Sequence, residues 1–140
     1  MSARFVYRVF DQAGRLIYVG ETGNLVQRLE HHYLNTWWAP QIGRTKASVF
    51  KNREDALAAE RAAIRDEDPR WNITGAWRRH RTWTEDRYVD YVTAYLQNRS
   101  TSVPPRLTEH GRTHIANVQR LYLARFGHNL PMPQIAEAVA

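Results

Sequence analysis

The 140-residue chain is long enough for one hydrophobic core with a small addition, but too short for two full-sized domains. Its 43% hydrophobic and 24% charged residues are typical of a globular protein and exclude a disordered chain. It has no cysteine, which excludes disulfides and thiolate zinc sites. It also has no apolar run of membrane-spanning or signal-peptide type, so we expect a cytoplasmic protein that does not enter membranes.

The charge distribution favours a polyanionic partner. The formal net charge is +6, with 11 Lys and Arg against 9 Asp and Glu in residues 1–75, but 9 against 5 in residues 76–140. Eighteen of the 20 basic residues are arginine, which contacts phosphate through two parallel N–H groups. Nucleic acid is the partner that this charge predicts. Coding bias of the host also produces arginine-rich chains, and composition alone leaves that alternative open.

The first predicted element is a β-hairpin. Residues 4–10 (RFVYRVF) and 15–20 (RLIYVG) are rich in β-branched and aromatic residues, and the sequence DQAG between them suits a type I turn. If the pairing is symmetric about the centre of this turn, Tyr7 lies opposite Tyr18 and both side chains leave the same face. A glycine bulge at Gly14 would shift this pairing.

A helix is predicted next, over residues 25–35 with Asn24 as its N-cap. Arg28 and His32 lie one turn apart on one of its faces. Taken alone, this pair fits a solvated helix face as well as a site. The apolar positions that stack at four-residue spacing on another face are Leu25, Leu29 and Tyr33.

The following segment is predicted as a loop over residues 36–45 and a third strand over residues 46–50. Trp37 and Trp38 in the loop either cap the core or form an exposed flat surface.

The second main helix, predicted over residues 53–66 with Asn52 as its cap, carries Glu60 within its apolar stripe. A carboxylate that leans toward the protein interior needs a cation or a metal ion as its partner. The alternative to a metal is that Glu60 lies at the edge of the stripe and pairs with an arginine such as Arg28. The apolar members of the stripe are Ala56, Leu57, Ala63 and Ile64.

In chain order, these features resemble the GIY-YIG endonuclease superfamily over about residues 4–75. The matching positions are Tyr7 on the first strand, Tyr18-Val19-Gly20 on the second, Arg28 and His32 on the next helix, Glu60 on a later helix, and Asn72 after Pro69. One departure is that the first tripeptide reads Phe5-Val6-Tyr7, so its tyrosine is kept and its glycine is missing. The resemblance implies an α+β fold, in which a small three-stranded antiparallel sheet is flanked by helices within a nuclease domain of residues 1–76.

The same resemblance implies a phosphodiester-hydrolysing site formed by Tyr7, Tyr18, Arg28, His32, Glu60 and Asn72. Glu60 would bind a single Mg²⁺ or Mn²⁺ ion, and Arg28 would stabilise charge in the transition state. Tyr7 would act as general base or position the water with help from His32, because a phenol pKa near 10 is unfavourable. Tyr18 would orient the phosphate or the water, and Asn72 would brace the site by hydrogen bonds.

Residues 77–140 are predicted to be a basic helical appendage. The segment WRRHRTW alternates rings and cations as a nucleic-acid contact does, yet it equally suits a linker that packs two tryptophans on the core. Helices are predicted over residues 84–98, 113–126 and 134–139, and they either contact DNA or form an interface with a second copy or another protein. The candidate DNA contacts in the segment are Trp77, Arg78, Arg79, Arg81 and Trp83.

We therefore interpret the sequence as that of a metal-dependent DNA endonuclease. The alternative is a non-catalytic DNA-binding protein that retains the same fold. Loss of Glu60 or Arg28 would favour the alternative, and this chain keeps both.

Overall fold

The computed structural model describes residues 3–72, 83–99 and 108–132. The chain forms two compact units, residues 1–79 and residues 80–140. The first unit has the element order β1 (Arg4–Asp11), β2 (Leu16–Thr22), α1 (Leu25–Asn35), a short 3-10 turn (Ala39–Gln41), β3 (Ile42–Phe50) and α2 (Arg53–Glu67). Its three strands form one antiparallel sheet in the order β2-β1-β3, which confirms the predicted α+β fold class.

The pairing of β1 with β2 differs from the symmetric prediction by two residues. Tyr7 lies opposite Gly20, and Val9 lies opposite Tyr18. Because the shift is even, Tyr7 and Tyr18 still leave the same face, as diagonal neighbours instead of a direct pair. The prediction that the two tyrosines face each other directly was therefore wrong, whereas the shared face is correct.

Two local irregularities produce this shift. Asp11 closes a three-residue loop, since its backbone N–H donates to the Arg15 carbonyl at 2.9 Å and its carboxylate accepts from the Ala13 and Arg15 N–H groups at 2.9 and 2.8 Å. Gly14 ends the loop at φ 84°, a left-handed conformation that suits glycine. An irregularity in the pairing between Val9 and Phe10 adds the second residue of the shift.

Helix α2 packs against one face of the sheet. Val6 and Val19 from the strands form a buried cluster with Ala56, Ala63 and Ile64 of the helix. Each buried aliphatic side chain of valine or isoleucine size contributes about 1.5–3 kcal/mol of hydrophobic stabilisation. The side chain of Asn52 caps the helix by accepting from the Asp55 N–H at 2.8 Å, as the sequence predicts.

The opposite face of the sheet carries α1 and the tryptophan-containing segment after it. Asn24 caps α1 by accepting from the Gln27 N–H at 3.1 Å. The buried position of this helix is His32, while Tyr33, on the face where apolar residues recur at four-residue spacing, is 56% exposed. Trp37 and Trp38 are both buried, which decides between their two interpretations in favour of a cap on the core.

Strand β3 begins at Ile42, four residues before the predicted start. It pairs with β1 along its whole length, from Phe50 opposite Arg4 to Ile42 opposite Asp11. The residues Gly43 and Arg44 have no strong strand preference of their own, so pairing with β1 determines the longer strand.

The second unit contains α3 (Glu85–Arg99) and α4 (Glu109–Phe126). Helix α4 begins four residues before its predicted start, because Thr108 caps it by accepting from the Gly111 N–H at 3.1 Å, and it ends at Gly127 as predicted. A hydrogen bond of 2.9 Å joins the Tyr91 hydroxyl to Nε2 of His114 across the two helices. The aromatic side chains Tyr88, Tyr91 and Tyr95 of α3 are all buried, together with Val92.

Some sequence predictions lie outside the described residues. These are the connection at residues 100–106, the last helix at residues 134–139, and the candidate DNA contacts Trp77, Arg78, Arg79 and Arg81. Within the described ranges, none of the helices is both long and apolar enough to cross a membrane.

Candidate active site

An aromatic cluster of Tyr7, Tyr18, His32 and Trp38 lies on the sheet face that carries α1. The ring of Tyr18 is 5.0 Å from those of His32 and Trp38, and the rings of Tyr7 and Tyr18 are 6.1 Å apart, measured between centroids. Trp38 also packs on His32 at 4.9 Å. Tyr7 is 1% exposed, whereas Tyr18 is only partly buried. Tyr18 is therefore the tyrosine of the cluster that solvent reaches.

Gly20 allows Tyr7 to take this position. The Tyr7 side chain crosses over strand β2 at Gly20, and a Cβ atom at residue 20 would clash with its phenol ring and hydroxyl. The clash would involve the buried body of the ring, which has no room to move away. The glycine of the tripeptide Tyr18-Val19-Gly20 is thus required by the placement of Tyr7.

A chain of hydrogen bonds runs from Tyr7 through His32 to Thr36. The Tyr7 hydroxyl is 2.6 Å from Nε2 of His32, and Nδ1 of His32 is 2.9 Å from Oγ1 of Thr36. Both nitrogens of the imidazole are therefore engaged, which determines the orientation of the ring.

Burial keeps both members of the Tyr7–His32 pair neutral at neutral pH. Burial raises the pKa of Tyr7 well above its usual 10; the neighbouring Tyr18 and the charge of Glu60 act in the same direction, and Arg28 opposes them. The pKa of His32 falls to about 4, chiefly through burial and then through the positive charges of Arg28 and His31. The hydroxyl thus retains its proton while the imidazole keeps a free lone pair.

Arg28 lies beside this pair at the solvent boundary. Its side chain is exposed, and in the ranges that the structure describes its guanidinium has no hydrogen bond or ion pair with protein. It lines an open cleft of about 250 Å³ with Thr22, Asn24, Gln27 and His31. A cation that no carboxylate neutralises remains available to an anionic ligand.

Glu60 on α2 is partly buried, as the sequence predicts, and it is near enough for its charge to raise the pKa of Tyr7. Among the described residues, no three histidine, aspartate or glutamate side chains are close enough to share a metal ion.

Asn72 holds the outer edge of β2. Its side-chain amide donates to the Val19 carbonyl at 2.8 Å and accepts from the Val19 N–H at 2.9 Å. The backbone N–H of Trp71 donates to the Ile17 carbonyl at 2.8 Å, as the backbone of a neighbouring strand would. Asn72 thus fixes the backbone between Tyr18 and Gly20.

A family model for the UvrC-like GIY-YIG domain matches residues 4–73. The chain belongs to the GIY-YIG family. This confirms the resemblance read from the spaced motif residues, and residues 4–73 form a nuclease-type domain.

The relatives with similar sequences are named UvrABC system protein C. Those of Ectopseudomonas mendocina (strain ymp) and Pseudomonas entomophila (strain L48) are 35% identical over 75 residues, and that of Pseudomonas fluorescens (strain SBW25) is 33% identical. Each match covers 49% of this chain but only 12% of the relative. No solved structure matches the chain.

The GIY-YIG site also contains two residues that the sequence analysis did not select. Thr36 and Trp38 both follow α1 and contact His32. Thr36 lies one helical turn after His32, so i, i+4 spacing was the signal by which it could have been found. Trp38 reaches the cluster by the turn after the helix, and no local pattern indicates that contact.

Trp83 is not available as a DNA-stacking side chain in this structure. It is 3% exposed and packs against Tyr88 at 5.2 Å, while the Arg87 guanidinium lies 4.5 Å from its ring. For this residue, packing in a core is the interpretation that the structure favours.

The lowered pKa of His32 makes stability depend on pH. Because the unfolded histidine (pKa near 6.5) binds protons more readily than the folded one (about 4), stability is lost as pH falls from 6.5 toward 4. Between pH 7 and pH 4.5 we expect His32 to account for a loss of roughly 2–3 kcal/mol in unfolding free energy. Urea unfolding of the protein and of His32→Gln at both pH values measures this, with exposed His110→Gln as the control. Equal pH dependence in the protein and in His32→Gln would contradict it.

Proposed function

We propose that this protein is an endonuclease that hydrolyses phosphodiester bonds in DNA with Mg²⁺ or Mn²⁺. The observation that carries the proposal is the 2.6 Å hydrogen bond between Tyr7 and a neutral His32, within the electrostatic reach of Arg28 and Glu60. A hydrogen-bonded acid and base beside an exposed cation are what water activation and phosphate binding require.

We assign proton transfer to the hydrogen bonds that the Tyr7 hydroxyl makes with Tyr18 and with His32. Because Tyr7 is buried and Tyr18 is partly exposed, we assign contact with the attacking water to Tyr18 and proton relay to Tyr7. The water gives a proton to Tyr18, Tyr18 gives its own to Tyr7, and Tyr7 gives its own to Nε2 of His32. The water oxygen then bonds to phosphorus as the bond from phosphorus to the leaving sugar oxygen breaks.

Arg28 is the residue that we assign to the phosphate. Its exposed guanidinium faces a polar cleft, and its charge already influences both Tyr7 and His32. Negative charge that develops on the phosphoryl oxygens would be stabilised by two parallel N–H donors at this position. The same charge adds to the effect of burial in lowering the pKa of His32.

Glu60 is the candidate metal ligand. Magnesium is commonly held in phosphoryl-transfer sites by one or two carboxylates, with phosphate oxygens and water completing its coordination. A partly buried carboxylate whose charge acts on Tyr7 fits that donor set. When bound, the ion would act as a Lewis acid toward the phosphate and the leaving oxygen.

The proposal is tested by incubating the purified protein with supercoiled plasmid in Mg²⁺. We expect conversion to the nicked or linear form, and inhibition by EDTA. Parallel assays on linear, nicked and branched DNA identify the substrate. Binding of DNA without cleavage in either metal would overturn the proposal and favour the non-catalytic DNA-binding protein.

Arg28→Ala should lower the nicking rate by about 100-fold or more, as expected for loss of one preorganised electrostatic contact to the transition state. The side chain is exposed and without a protein partner in the described ranges, so the melting temperature should change little. Arg53→Ala, which removes an exposed arginine from the start of α2, is the matched control. Equal rates for both variants would contradict the role of Arg28.

A further inference from the structure

We propose that Thr36 is a positioning residue that holds His32 in the tautomer with hydrogen on Nδ1, so that the Nε2 lone pair faces Tyr7. The catalytic consequence of this inference rests on the proposed nuclease function. The tautomer itself is a property of the resting protein and is measured without DNA.

The position of Thr36 is set by the backbone. It is the C-cap residue of α1, and its N–H donates to the His32 carbonyl at 3.1 Å. This bond fixes the residue one turn below the histidine, where Oγ1 lies 2.9 Å from Nδ1. The opposite nitrogen lies 2.6 Å from the Tyr7 hydroxyl. Rotating the ring by half a turn would replace both nitrogens with carbons and break both hydrogen bonds.

A neutral imidazole has one donor nitrogen and one acceptor nitrogen. If Nδ1 carries the hydrogen, it donates to Thr36 and Nε2 accepts from Tyr7. If Nε2 carries the hydrogen, it donates to Tyr7 and no lone pair remains there to receive a proton from the relay. The hydrogen bond that one ring nitrogen makes determines whether the other nitrogen carries the hydrogen. Because Thr36 bonds Nδ1, it is placed to determine whether Nε2 keeps its lone pair.

Water does not compete with Thr36 for Nδ1 to any large extent. His32 is 5% exposed, and Trp38 packs on its ring at 4.9 Å, with Tyr18 at its edge at 5.0 Å. A hydroxyl oxygen suits this acceptor role, because threonine can accept one hydrogen bond and still donate another. In the Thr36–His32–Tyr7 chain, Thr36 thus orients the imidazole, as a third group orients the base in other active sites.

The test compares Thr36→Val with Thr36→Ser in the full-length protein. Valine has nearly the same shape and suits the extended backbone at residue 36 (φ −85°, ψ 137°), while serine restores the hydroxyl. Thr113→Val, on the exposed surface of α4, is the matched control. Nitrogen-15 NMR of the labelled proteins reports which nitrogen of His32 carries hydrogen, and the plasmid assay reports the nicking rate.

We expect hydrogen on Nδ1 in the wild type and in Thr36→Ser, and a shift toward the Nε2–H form in Thr36→Val. The nicking rate at saturating DNA should fall about 10- to 100-fold in Thr36→Val, as for loss of other groups that orient a histidine, with unchanged DNA affinity and recovery in Thr36→Ser. Hydrogen on Nε2 in the wild type, or an unchanged tautomer in Thr36→Val, would overturn the inference. If the wild type does not cleave DNA, the NMR result still decides the role of Thr36, and only the proposed function fails.

Discussion

Glu60→Gln should lower the rate of plasmid nicking in Mg²⁺ by about a thousandfold or more. Glutamine keeps the shape of the side chain and removes the charge that would hold the metal ion. A metal that stabilises charge on a transferring phosphoryl group is worth several kcal/mol, which corresponds to three or more orders of magnitude in rate. Titration with Mg²⁺ and Mn²⁺ in the plasmid assay measures both the rate and the metal dependence.

Glu54→Gln is the control for this substitution, because it removes an exposed carboxylate from the first turn of the same helix. DNA binding measured in EDTA should be as tight in Glu60→Gln as in the wild type, or tighter, since a negative charge near the phosphate is removed. If Glu60→Gln nicks plasmid as fast as Glu54→Gln, the metal assignment is wrong and the reaction must be supported by other residues.

The parts of the fold that were predictable from the sequence are those determined by neighbours in the chain. Asn24 and Asn52 cap their helices through a side-chain bond to an N–H three residues later, and such a bond needs no tertiary contact. The left-handed end of α4 at Gly127 is local in the same sense. The motif residues were found because their order and spacing match a family, and the family model confirms that match.

The register of the hairpin was less predictable because two single-residue irregularities add together. The loop closed by Asp11 and the bulge near Phe10 each move the pairing by one residue. Either one alone would have placed Tyr7 and Tyr18 on opposite faces of the sheet. Together they restore the shared face. This combined shift depends on tertiary packing and is not encoded in any one turn.

The environment of His32 was not predictable from the helix on which it lies. Periodicity put Tyr33 on the face with the recurring apolar residues, yet His32 is the buried residue because Trp38 and the two strand tyrosines surround it. Contacts from three separate segments thus decide its low pKa and its hydrogen bonds. His32 therefore becomes buried and neutral only when these segments assemble around it.

Tyr7→Phe should lower the nicking rate at saturating DNA by at least about 100-fold while leaving DNA affinity unchanged. The phenyl ring still fills the space over Gly20 and packs beside Tyr18, so the cluster keeps its shape. What is lost is the hydroxyl that is hydrogen-bonded to His32, and general base catalysis is commonly worth two to four orders of magnitude. Tyr33→Phe, which removes an exposed hydroxyl from α1, is the matched control.

A double variant separates a relay from two independent contributions. If protons pass from Tyr7 to His32, either substitution interrupts the same path, so Tyr7→Phe combined with His32→Gln should be little slower than Tyr7→Phe alone. If the fold reductions in nicking rate of the two single variants multiply in the double variant, the two residues act separately. In that event the 2.6 Å hydrogen bond would orient the tyrosine without carrying its proton, and the base would have to be sought elsewhere in the site.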